Sequence, residues 1–461
     1  MQDKKRLVPE YESMSNWELY AANLDTEYTQ SVEEGLDIEG YKELFDSVAK
    51  LPKGEIKKRI GDIIFDIVYN AKQRDDYPYD EPSDLEGIRA LRKREELCGG
   101  VDTASLKSRI YGAWMGRICG CMLGKTVEGI RTNELVPFLK ETGNYPMHRY
   151  IYRTDASPEV ISKYKYKLAS RIYADEIDGM PVDDDTNYIV LAQEVIRKYG
   201  RDFTPTDMAH AWLDLQRKNA YCTAERVAFC NFVKGYTPPE SAVYQNPFRE
   251  WIGAQIRGDY FGYINPGNPE LAADMAWRDA SISHVKNGIY GEMLASAMIS
   301  AAAVTSDIEK IIMCGLGEIP HTSRLYADVT AVIEAYKSGM EQADCFKMIH
   351  EKYDEYTVHG WCHTISNAMI VAASLLYGEG DFGRSICMAV ETGFDTDCNG
   401  ATVGSILGMA NGIESIPEYW TSPFRDTLYT SIFGIDRVNV TERAELTLTH
   451  VRLPGREEAN Q

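Results

Sequence analysis

The stretch "GRICGCMLGKTVEG", residues 116–129, closes a run in which Gly112, Gly116, Gly120 and Gly124 recur at every fourth position. Its Gly-Lys-Thr ending imitates a phosphate-binding loop. That loop, however, needs a glycine five residues before the Gly-Lys pair, so that successive backbone N–H groups converge on the phosphates. Cys119 stands there and Gly120 comes one residue late. No strand leads into the stretch, and a four-residue period describes one face of a helix. A second row follows the same rule: "GFDTDCNGATVGSILGMANG", residues 393–412, carries Gly400, Gly404, Gly408 and Gly412. Each interior helical glycine costs about 1 kcal/mol relative to alanine, so two such rows call for close helix–helix approach. If the two helices pack against each other antiparallel, Glu128 comes close to Asp395 and Asp397.

The chain has 461 residues, 44% hydrophobic content and a net charge of −21. Such a chain can bury a large core, and its acidity argues against nucleic acid or an anionic membrane as a general partner. The start, "MQDKKRLVPEYESM", has no apolar run behind its basic residues, which predicts no signal peptide and a cytoplasmic protein. Ten scattered cysteines read as reduced, mostly buried thiols, with no zinc spacing. The uncharged stretch 360–378 and the small-residue stretch around Glu292 read as buried core helices, because His363, Thr364, Ser366 and Asn367 make poor lipid-facing material. Helix-length apolar patterns dominate from residue 105 to about 433, so the fold class is mainly α. The expected organisation is a helical extension over 1–104, a compact all-helical catalytic domain over 105–435 and a tail over 436–461 packing on the core. The alternation in "RVNVTERAELTLTHVRL" suggests a short β hairpin near the C-terminus.

Two acidic clusters each precede a helix. In "PVDDDTNYIVLAQEVIRKYG", Asp183, Asp184 and Asp185 suit a helix start, and Arg197, Lys198 and Gly200 suit its end. One cap needs only one carboxylate, and three adjacent ones repel, so a hard divalent cation is the competing explanation. In the second cluster Asp395, Asp397, Asn399 and Gly400 imitate the first half of a calcium loop, but its twelfth position holds Ile406 where a bidentate Glu belongs. Oxygen ligation of a metal by Asp-x-Asp stays open.

Together these residues resemble the ADP-ribosylglycohydrolase family. Its glycine-rich motif aligns with Gly116 to Glu128, its Ser/Thr-Asp-Asp-Thr motif with "DDDT", and its G-x-D-T-D-T motif with "GFDTDCNG", in family order. The resemblance implies an all-α fold with two divalent cations, Mg²⁺ or Mn²⁺. Asp183, Asp184 and Asp185 would hold one and Asp395 and Asp397 the other, with Glu128 beside them. Three positions depart: Asp183 replaces a hydroxyl residue, Cys121 an aspartate and Cys398 a threonine. A thiol is a poor ligand for a hard ion.

The expected activity is metal-dependent hydrolysis of an N- or O-glycosidic bond at ribose C1, in an ADP-ribosylated protein or a related ADP-ribosyl or ribosyl compound. The candidate catalytic residues are Glu128, Asp184 and Asp397, any of which can take the proton. A non-catalytic ADP-ribose binder and a hydrolase of a small ribosyl metabolite are the alternatives. The loop "YINPGNPE", residues 263–270, reads as non-helical and cleft-lining. It offers Asn265, Gly267 and Asn268 as substrate-binding residues beside Asn399 and Gly400 of the third motif. Tyr and Phe in "GDYFGYINPGNPE" are candidates to stack on a base. Arg278, Asp279 and His284 read as an ion pair or a satisfied buried histidine, and His363 with Asn367 as a core hydrogen bond.

Overall fold

The computed structural model describes residues 7–166 and 168–454. Helix α1 (Leu24–Glu33) belongs to the amino-terminal segment. The core contains α2 (Leu106–Lys125), α3 (Asp184–Tyr199), α4 (Thr223–Lys234), α5 (Lys286–Ala302), the short α6 (Val358–Cys362), α7 (Thr364–Gly378) and α8 (Thr396–Asn411). One antiparallel pair, β1 (Thr427–Tyr429) and β2 (Arg437–Asn439), is aligned Leu428 to Val438 and leads into α9 (Val440–His450). The mainly helical class and the short hairpin agree with the sequence.

At the centre α2 and α8 cross antiparallel through their glycines. A Cβ built on Gly116 would overlap the carbonyl of Gly404, one on Gly120 that of Gly400, and one on Gly112 would lie 2.6 Å from the carbonyl oxygen of Gly408. The backbones therefore touch, and no side chain larger than hydrogen fits between them. Thr396 Oγ1 donates to the Gly124 carbonyl at 2.9 Å, stitching the end of α2 to the start of α8. The small-residue stretch and the uncharged stretch are both core helices: α5 is buried along nearly all of its length and α7 along all of it. Among the described residues no helix is long and apolar enough to cross a membrane.

Most of the strand-like stretch near the C-terminus is helix. Val440, Ala444 and Thr447 are buried at helical spacing, and the Thr447 hydroxyl accepts from the Trp114 indole N–H at 3.0 Å. The Thr-Leu-Thr alternation hid that face. The amino-terminal segment has its own small apolar cluster around Leu24, Ile38, Phe45 and Ile64, and it docks on the core through buried charge. Arg249 binds Glu27 and Glu34 at 2.8 and 2.6 Å, and Gln30 donates to Glu250 at 2.6 Å.

Candidate active site

The α2/α8 crossing delivers its acidic residues to one end. Asp183 caps α3, its Oδ1 accepting from the Asp185 N–H at 2.9 Å, while its Oδ2 binds Lys125 Nζ at 2.5 Å. The capping account of the first cluster thus holds for Asp183 and leaves Asp184 and Asp185 unexplained by it. Asp395 occupies the corresponding place before α8 and makes no cap bond through its side chain. Asp397 is buried, and its Oδ1 has no hydrogen-bond partner among the described residues.

The carboxylates perturb one another across the two segments. Burial, then the Asp183 charge, raises Glu128 above the ordinary carboxyl range. Burial pushes Asp395 up to about 7 and Asp397 well above its usual value, with the Glu128 charge the leading electrostatic cause in both. Asp184 is likewise raised by burial, with Asp183 and Glu128 adding to it. Glu128 and Asp184 are partly exposed, while Asp183, Asp185, Asp395 and Asp397 are buried. Residues 128, 183–185 and 395–397, remote in sequence, therefore form one electrostatic unit.

Asp185 is held differently. Arg117, fully buried within the glycine helix, reaches Asp185 Oδ1 at 3.0 Å and Asp259 Oδ2 at 2.8 Å. Cys398 Sγ donates to the other Asp185 oxygen at 3.3 Å. Burial holds the Cys398 and Cys121 thiols well above their usual pKa, so both stay protonated. One ligand atom each of Cys121, Asp183 and Asp185, and of Asp395, Asp397 and Cys398, lies within 4.8 Å of the others in its set. Mutually repelling carboxylates with an unpartnered buried oxygen fit a hard divalent cation held by aspartate oxygens. The neutral thiols do not add to that donor set.

The loop proposed for substrate goes elsewhere. Gly267 donates its N–H to the Ser300 carbonyl at the far end of α5. There Arg109, at the start of α2, binds the Ala302 carbonyl at 3.3 Å. Arg109 lies in the first turn of α2 and Glu128 just beyond its last, roughly 25 Å away along the helix. The structure thus does not bring Asn265, Gly267 and Asn268 to the carboxylates. Asn265 is buried, donating to the Phe261 carbonyl at 2.8 Å and accepting from Arg201; Asn268 caps the helix Pro269–Ala280. Tyr263 and Ile264 end a helical turn, Asp259–Ile264, against the non-helical reading. Tyr260, Phe261 and Tyr263 are fully buried, with Phe261 stacked on Phe203, so none is open to a base. Gly400 serves the crossing. Asn399 stays at the centre, donating to Asn367 Oδ1 at 2.8 Å, its own oxygen without a partner among the described residues. Asp279 pairs with Arg257 at 3.2 Å and His284 with Ser283 at 2.9 Å, as structural groups.

Sequence reading missed the cations. Arg117 gave a signal, the one charge in the apolar and glycine-rich stretch between Ile110 and Gly124. Arg131 and Arg171 gave none, yet both grip the turn after α2: Arg131 Nη1 donates to the Gly129 carbonyl at 3.1 Å and Arg171 Nη2 to the Glu128 carbonyl at 2.8 Å. The Arg131 guanidinium lies 4.6 Å over the Trp361 ring.

The family model that matches the chain, described as ADP-ribosylglycohydrolase, spans residues 102–451 and takes in every one of these carboxylates. The chain belongs to the ADP-ribosylglycohydrolase family. The matched region contains both glycine-rich helices, α2 and α8, and the start of α3. A solved structure of an ADP-ribosylglycohydrolase-related protein complex is similar over 75% of this chain and 98% of that one, with 17% identity and a TM-score of 0.45. No curated protein matches.

Proposed function

We propose that the protein is a divalent-metal-dependent glycosyl hydrolase cleaving the N- or O-glycosidic bond at ribose C1 of an ADP-ribosylated protein or a related ADP-ribosyl compound. Family membership supports glycosyl hydrolysis of ADP-ribosyl compounds; metal dependence rests on the donor set. The observation that carries the reading is the convergence of Glu128, Asp183–Asp185 and Asp395–Asp397 at the end of the glycine crossing.

Asp183, Asp184, Asp395 and Asp397 would hold Mg²⁺ or Mn²⁺, with Asp185 supporting through its remaining lone pairs. When bound, such ions supply Lewis acidity that orients ribose hydroxyls and acidifies water. The chain's own residues do the rest. Arg117 fixes Asp185 and thereby the start of α3. Glu128, partly exposed and raised in pKa by burial, is the candidate we favour to take the proton. Lys125 is committed to Asp183 and is not free to act as an acid. Arg131 and Arg171, whose remaining N–H groups have no carboxylate partner among the described residues, suit the negative charge of a diphosphate.

The deciding experiment measures release of free ADP-ribose or ribose from ADP-ribosylated peptides and from nucleosides, with Mn²⁺, Mg²⁺ or EDTA. Metal-dependent release that falls by orders of magnitude in Asp184→Ala and Asp397→Ala supports the reading. Cys398, a protonated thiol where a hydroxyl ligand is expected, favours one alternative, a non-catalytic ADP-ribose binder. ADP-ribose affinity unchanged by EDTA, with no release from any substrate, would establish that alternative.

A further inference from the structure

Glu33, at the end of α1, lies outside the family-matched region and close to His359 and His363 of the core; one ligand atom from each lies within 4.8 Å of the other two. Two imidazoles and a carboxylate suggest a metal site, but the hydrogen bonds exclude it. His359 Nδ1 faces the Trp251 indole N–H at 3.1 Å, and His363 Nδ1 accepts from the Ile365 N–H at 3.2 Å. Indole and backbone N–H groups only donate, so both Nδ1 atoms are acceptors and both Nε2 atoms carry the protons. A metal on Nε2 would require the opposite tautomer. Instead, His359 Nε2–H donates to Glu33 Oε2 at 3.0 Å, and His363 Nε2 points between Glu33 at 3.9 Å and Glu250 at 3.7 Å.

The short helix that Glu33 holds carries Trp361, whose indole N–H donates to the carbonyl of Phe394. Phe394 sits at φ +57, a conformation costly for a bulky residue and sustained only by its surroundings. The next residue is Asp395. Its N–H donates to Asn367 Oδ1 at 3.1 Å, while Asn367 Nδ2 donates to the carbonyls of Trp361 and His363, each at 2.9 Å. The backbone before α8 is therefore pinned twice, once by Trp361 and once by Asn367, and both anchors rest on the segment that Glu33 fastens.

We propose that Glu33 is a positioning residue for the Asp395–Asp397 loop, so that the amino-terminal segment helps to shape the carboxylate centre. The proposal uses the reading of that loop as part of the active site, but its first test does not require a metal. Amide hydrogen exchange of Asp395 is compared in the wild type, Glu33→Ala and Glu33→Gln. The glutamine oxygen still accepts from His359, so Glu33→Gln should exchange like the wild type, while Glu33→Ala should speed the Asp395 amide about tenfold and leave the α5 amides unchanged. Trp361→Phe, which removes the bond to Phe394, should reproduce the alanine effect. Unchanged Asp395 exchange in Glu33→Ala, or equal acceleration in α5, would overturn the proposal. Calorimetry with Mn²⁺ gives a second readout: affinity should fall about tenfold in Glu33→Ala and hold in Glu33→Gln. A wild type that binds no Mn²⁺ would count against the metal reading alone, because the exchange data still decide the role of Glu33.

Discussion

Asp397 has a buried carboxylate oxygen without a hydrogen-bond partner among the described residues, and the charges of Glu128 and Asp395 act on it. In the metal-free protein this is a cost, so Asp397→Asn should stabilise the apo form by about 1–3 kcal/mol while abolishing turnover. Thermal melts with and without Mn²⁺ check this: the cation should raise the midpoint of the wild type and move that of the variant much less. The opposite is expected at Arg117. Arg117→Met leaves Asp185 and Asp259 buried without their cation and should destabilise by about 3–5 kcal/mol, read by denaturant unfolding. These acidic residues were legible in the sequence because unpaired carboxylates in a row conflict with simple capping. Their counter-ions were not, because nothing near Arg131 or Arg171 in the chain announces that both grip the same turn.

The glycine rows were the most informative element in the sequence, since a repeated penalty demands a compensating contact. Gly120→Ala should cost about 3 kcal/mol or more, because a Cβ there meets the Gly400 carbonyl and rigid backbone cannot yield as a side chain can. The same substitution should weaken Mn²⁺ binding, since spreading α2 from α8 separates Glu128 from Asp395; calorimetry on the folded variant reads this. Two elements were misread for a shared reason. The stretch after Val440 has a helical contact face hidden under alternating Thr and Leu, and the 263–270 loop owes its position to long-range packing on α5. Local pattern gives the type of such segments poorly and their destination not at all.

For the molecule as a whole, the amino-terminal segment is joined to the core by charges that would be stranded without it. A chain beginning at residue 102 would leave Arg249 without Glu27 and Glu34, and Glu250 without Gln30. It should melt well below the full chain, or fail to fold, each broken buried pair costing about 3–5 kcal/mol. That docking was not legible in the sequence, where the first hundred residues read as a helical extension with no sign of a contact to the rest. A pH effect arises at another part of this join, where Arg92 binds Glu318 at 2.7 Å. Burial pushes Glu318 up to about 7 against the opposing Arg92 charge. The folded chain keeps that proton until about pH 7, while the unfolded chain releases it near about pH 4.3, so this group stabilises least above pH 7. Glu318→Gln should shrink the stability difference between pH 5 and pH 8 by roughly 1–3 kcal/mol, measured by denaturant titration at each pH.

The antiparallel crossing of α2 and α8 joins segments separated by most of the chain. A ribosome adds about 5–20 residues per second, so Glu128 waits on the order of tens of seconds for Asp395 and Asp397 to be synthesised. Throughout that interval the groove of bare backbone on α2 lacks its α8 partner, and the loop to be closed spans more than half of the chain. Translation halted before Asp395 therefore yields a polypeptide with four of the six carboxylates and no α8 to gather them. The carboxylate centre is therefore complete only once synthesis has reached the last sixth of the chain.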